Sequence, residues 1–177
     1  MIALVLGGSI WGYFKFVQNR SLVLAGTRHI VDKSGNRDAQ MAYSHKLRET
    51  HFGAMNRIRG DLQQFFNDVI SKKKYSTNDA GPFEQRYTEL VAELRDHVEE
   101  FDQLMVPEPI NGPHIKISHS HKWFYEALIV LRKGFYDTEK DVQKTDYADA
   151  RSKFNAGWKE DLDGEAGAHS ALENRLI

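Results

Sequence analysis

From His114 to Val142, large side chains recur at steps of three and four residues: His114, Ile117, His121, Phe124, Leu128, Leu131, Phe135, Thr138 and Val142. This alternation keeps them on one face of an α-helix. The same period runs through Leu47, His51, Met55, Ile58, Leu62, Phe65 and Val69. It returns in Phe83, Tyr87, Leu90, Leu94, His97, Phe101 and Leu104, a stripe widened by Val91, Val98 and Met105. A fourth face consists of Tyr147, Phe154, Trp158 and Leu162, and Ala166, His169, Leu172 and Leu176 keep its period.

Capping and breaking residues then set the boundaries. The first helix is predicted from about Asp38 to Ser71–Lys74, and the second starts at Pro82 and stops before Pro107. The third runs toward Lys144, and Thr145 or Asp146 caps the fourth, with Asp149 favouring its N-terminal dipole. Gly164 and Gly167 each weaken a helix by about 1 kcal/mol relative to alanine, which predicts a bend or a separate terminal helix. The connections, a polar turn over residues 76–81 and the Pro-rich segment 106–113, are short. Short connections favour antiparallel neighbours, so the expected fold is all-α, an antiparallel up-down four-helix bundle with coiled-coil-like periodicity. Its expected core includes Leu62, Phe65, Leu94, Phe101, Leu128, Leu131, Phe154 and Trp158, whereas Glu99, Lys133 and Lys140 should face water.

The most apolar run, residues 2–14, carries no charge and precedes Lys15, Phe16 and Val17. It falls short of the roughly 20 residues that span a bilayer unless Lys15 snorkels and the span continues to Val17. Residues 1–17 are therefore expected to be a membrane anchor, with Trp11 and Tyr13 near an interface. A secretory signal cleaved after Ala25 and a buried helix are the alternatives. Residues 18–37 read as a polar linker with a short extended piece at Ser21 to Leu24, and 38–177 as the helical domain. The layout of a short anchor before a cysteine-free helical body favours an extracytoplasmic body. Lys15, Arg20, Arg28, Lys33 and Arg37, counted by the positive-inside rule, favour the opposite orientation.

Composition narrows the chemistry. The chain of 177 residues has no cysteine, which removes disulfide scaffolds, thiolate metal sites and thiol nucleophiles. Its 24 basic residues are offset by 25 acidic ones, so no nucleic-acid partner is expected. No phosphate-binding loop, nucleophile elbow or His-Glu-x-x-His pair is present. Glu93 and Glu165 each stand four residues before a histidine, one too many for the Glu-x-x-His of carboxylate-bridged diiron bundles. Catalysis is accordingly not expected. The first functional expectation is a membrane-tethered bundle that binds a protein partner or a second copy of itself, or that serves structurally.

Histidines supply the alternative, a bundle that binds a metal or cofactor. Counting outward from the turn near residue 109 puts His97 and His121 side by side. The turn near residue 145 brings His169 to the same level. Three imidazoles in one layer would suit zinc, copper, nickel or iron and leave a coordination position open. His114 and His119 would lie nearer the Pro-rich turn. The competing accounts make these histidines hydrogen-bonded structural residues or a pH-responsive cluster.

Overall fold

The computed structural model describes residues 30–71 and 79–176. Nearly all of them are helical. Helix α1 (Arg37–Lys46) passes through a π-helical turn, Leu47–Phe52, into α2 (Gly53–Ser71). Then come α3 (Ala80–Phe101), α4 (Asn111–Tyr136) and α5 (Lys140–Leu176). Two short strands, β1 (Val31–Asp32) and β2 (Val106–Pro107), pair in parallel, and a 3-10 turn, Glu108–Ile110, leads into α4. The structure is all-helical in this sense and compatible with a helical bundle. No helix among the described residues is long and apolar enough to cross a membrane. Residues 1–17, expected to be an anchor, and the extended piece at 21–24 lie outside the described residues.

Local chemistry explains the start of the rod. Asn36 is extended and its side chain accepts the Asp38 N–H at 2.9 Å, capping α1. The π turn follows from spacing. Tyr43, Leu47, His51 and Met55 are all buried and four residues apart, and each such step overshoots an ideal α-helical turn by about 40°. A wider i→i+5 turn takes up that drift and keeps all four on the inner face.

The third helix stops earlier than the stripe through Val142 suggests. Asp137 is extended, and its carboxylate accepts the Glu139 N–H at 2.9 Å. Aspartate offers the backbone a local alternative to the helix, and here the alternative wins. The connection therefore lies at 137–139, and α5 begins at Lys140 rather than after Lys144.

α5 also runs unbroken through Gly164 and Gly167 for 37 residues, about 55 Å. The expected bend is absent because these glycines face α4. A Cβ on Gly164 would stand 2.6 Å from Ile117 Cγ1 and 3.0 Å from the Pro113 carbonyl oxygen; on Gly157, 2.9 Å from Trp123 Cβ. Close approach of the two helices replaces the propensity lost at each glycine. The buried face of α5 is thus Tyr147, Ala150, Phe154, Gly157, Asp161, Gly164, Ala168 and Leu172, again at steps of three and four. Leu162, expected on that face, is exposed, and Trp158 is only partly buried. The other seven expected core residues are buried.

Buried apolar side chains fall into two clusters. One contains Met55, Ile58, Leu62, Leu90, Leu94, Phe124, Leu128 and Phe154; the other contains Tyr43, Leu47, Phe101, Ile117, Ala168 and Leu172. On three of the four rods a polar residue separates them, His51, His121 and Asp161; on α3, His97 stands one residue before the boundary between Val98 of the first cluster and Phe101 of the second. A polar belt therefore crosses the molecule between two apolar bodies.

Candidate metal centre

His51 sits in the π turn, His97 near the end of α3, and His121 in the middle of α4. All three are buried, at 0%, 6% and 2% exposure. His51 Nδ1 and His97 Nε2 are hydrogen-bonded at 3.0 Å, and the His121 ring lies 5.2 Å from His97 and 5.8 Å from His51 between centroids. One nitrogen from each ring lies within 4.8 Å of one nitrogen from each of the others. Neither nitrogen of His121 has a hydrogen-bond partner. A buried imidazole without partners costs about 1–3 kcal/mol per unsatisfied group, so this ring is expensive to keep unless something else binds it.

The other nitrogen of His51 faces carboxylates. Its Nε2 lies 3.4 Å from Asp161 Oδ1 and 3.6 Å from Glu165 Oε1, in ion-pair range though outside hydrogen-bond geometry. Asp161 is held from two further sides. Arg59 Nη1 donates to its Oδ2, and Ser120 Oγ lies 3.1 Å from its Oδ1. Arg59 also donates to Glu165 Oε1 at 3.2 Å and to Asn56 Oδ1. A proton on His51 Nε2, on the side of this pair, makes Nδ1 the acceptor of the bond to His97, whose Nε2–H then donates. Carboxylates behind a ring nitrogen stand where the orienting partners of metal-ligating histidines stand, although no hydrogen bond is made to them here.

Electrostatics favour lone pairs over protons at the remaining rings. Burial, then the neighbouring His51, pushes His97 down to about 4, with Asp161 opposing. His121 is held well below the usual histidine value by burial first, then by His97, His51 and His114. Glu165 is shifted up by burial and by Asp161, against the pull of Arg59 and His51.

Of the sequence candidates, His97 and His121 do meet. His169 does not join them: its side chain is 51% exposed, with Glu173 at 3.3 Å. The physical reason is the position of the turn. Contacts between α4 and α5, such as Phe124 with Gly157, Ser120 with Asp161 and Ile117 with Gly164, are centred between residues 140 and 141. Moving the centre from 145 doubles into a displacement of about nine residues, so Asp161 stands where His169 was expected. His51 takes the third place. His114 is buried nearer the Pro-rich turn, where Tyr43 Oη is 2.9 Å from its Nδ1, and His119 is exposed. His51 was legible as a member of the first stripe. Arg59, Asp161 and Glu165 carried no motif that singles them out.

No protein-family model, no curated protein and no solved structure matches this chain.

Proposed function

We propose that the protein is a membrane-tethered, antiparallel up-down four-helix bundle that binds one transition-metal ion through His51, His97 and His121. The observation that carries the metal-binding reading is the buried set of imidazole nitrogens, one from each ring, within 4.8 Å of one another, with His121 making no hydrogen bond through either of its nitrogens. Three neutral nitrogens suit a borderline first-row ion, and Asp161, itself fixed by Arg59, stands behind His51. The wide turn at Leu47–Phe52 agrees with this role, because π-helical turns inside α-helices occur frequently at functional sites.

The bundle is proposed to hold or transfer the ion rather than to catalyse with it, because the donor nitrogens are buried and apolar groups flank them. Membrane attachment through residues 1–17, with an extracytoplasmic body, rests on the uncharged run and on the layout alone.

Titration of metal-free protein with zinc, copper, nickel and iron should give saturable binding of at least one ion at one per chain. Absence of binding to all four contradicts the proposal. The tether is tested separately. Full-length chain should sediment with membranes, and Lys73→Cys should react with an impermeant thiol reagent in intact cells. A soluble chain with its N-terminus intact, or a protected cysteine, counts against the attachment or the orientation.

A further inference from the structure

Three imidazoles leave the choice open among several ions, but the two sides of their ring cluster differ. On one side stands Phe101, whose ring centroid lies 5.0 Å from His51, 5.1 Å from His121 and 6.3 Å from His97. Phe101 is itself stacked on His114 at 4.3 Å, so the ring is fixed in place. An apolar ring so close to all three imidazoles disfavours water or a small anion as a fourth ligand on that side.

A sulfur donor stands one helical turn beyond His51. Met55 follows His51 by four residues on the same buried face and is fully buried. It belongs to the apolar cluster of Leu94 and Phe124, whereas Phe101 belongs to the cluster of Leu47 and Ile117. His51 and His121 lie between these clusters, and Met55 and Phe101 therefore belong to different apolar bodies. Other thioethers among the described residues, Met41 and Met105, are 54% and 58% exposed, and the chain contains no thiol.

Resting on the metal-binding reading above, we infer that the ion is copper, with His51, His97 and His121 as the residues that would hold Cu(I) and the Met55 thioether as a fourth donor. Thioethers are soft ligands that select Cu(I) over zinc or nickel. The three imidazoles and the thioether carry no charge, and a monovalent ion adds less buried charge than a divalent one. Zinc on three histidines keeps a water or substrate in its fourth position, which the Phe101 side does not favour.

X-ray absorption on full-length protein loaded anaerobically with Cu(I) tests this. The expected spectrum shows imidazole scattering together with a sulfur shell. Because the chain has no cysteine, any sulfur must come from methionine, and Met55→Leu identifies which. This near-isosteric variant should keep the imidazole pattern, lose the sulfur shell and bind Cu(I) at least tenfold more weakly in competition with a Cu(I)-specific chelator. Its zinc affinity should stay unchanged. A wild-type spectrum with nitrogen scattering only overturns the inference whether or not the variant folds. So does a sulfur shell that survives Met55→Leu, or zinc and Cu(I) affinities that fall together. Zinc binding without Cu(I) binding overturns the choice of copper alone, whereas binding of neither zinc, copper, nickel nor iron overturns the metal-binding reading beneath it.

Discussion

His121 and Asp161 show opposite consequences of burial for a polar side chain. His121 has no hydrogen-bond partner, so replacing it with leucine removes an unmet desolvation cost and fills similar space with apolar atoms. His121→Leu is therefore expected to leave metal-free stability unchanged or raise it by about 1–3 kcal/mol, read from urea unfolding. Asp161, in contrast, balances Arg59. Asp161→Ala leaves the buried guanidinium with Glu165 as its remaining carboxylate, so the cost in the same measurement should reach at most about 3–5 kcal/mol, that of a fully broken buried pair. The pH dependence follows from His97 and His121. A histidine depressed in the fold binds fewer protons folded than unfolded, so its contribution is full above the ordinary value of about 6.5. Stability should fall as pH drops from about 6.5 toward about 4, by about 1.4 kcal/mol per pH unit for His97, and His121 adds a loss of the same sign. Glu165, shifted up, has the opposite sign and offsets part of the loss. Urea midpoints between pH 7.5 and 5 should show the decline, and His121→Leu should make it shallower.

Among the elements, α5 shows most plainly what the hydrophobic pattern conveys and what it leaves out. The stripes of α2, α3 and α4 are dominated by leucine, phenylalanine and isoleucine, and their buried faces were readable from spacing. The inner face of α5 is built from Gly157, Asp161, Gly164 and Ala168 over its middle, residues whose burial comes from the neighbour they admit and not from their own hydrophobicity. Its phase was consequently misjudged, which moved Leu162 inward, and a turn centre misplaced by a few residues brought His169 into the belt in place of Asp161. His97 and His121 were placed correctly because the Pro-rich turn between them is unambiguous. Glycine substitutions test the close packing directly. Gly164→Ala gains about 1 kcal/mol of helix propensity but drives a methyl into Ile117 and the Pro113 carbonyl, with an overpacking cost of about 1–3 kcal/mol. It should destabilise or at best break even. Gly60→Ala, exposed on α2 with nothing within 4 Å of the added carbon, should instead stabilise by about 0.5–1 kcal/mol. Thermal melts should show a rise for Gly60→Ala and no rise for Gly164→Ala.

At the scale of the whole molecule, the belt divides the apolar interior, and stability should reside mainly in the larger cluster. Leu94 and Leu128 are both fully buried there, so truncation of either to alanine should cost about 2–5 kcal/mol, against about 0.5 kcal/mol or less for Glu99→Ala. The belt itself buries three imidazoles, the Asp161 carboxylate and a guanidinium, with Glu165 partly exposed beside them, where an apolar layer of the same volume would be cheaper to bury. On the metal-binding proposal a bound ion would offset that cost, and ligand binding to the folded state alone must raise its stability. At about 100 times the dissociation constant the gain is about 2.7 kcal/mol, or roughly 5–11 °C in melting temperature for a domain of this size. The most direct measurement is therefore the melting temperature of wild type and His121→Leu, each metal-free and with zinc, copper, nickel or iron. The expected result is a wild-type rise of that order with at least one ion, and a variant at least as stable without metal that does not respond to it. A wild-type melt unmoved by all four ions, or a His121→Leu melt that rises as much as wild type, would contradict the account.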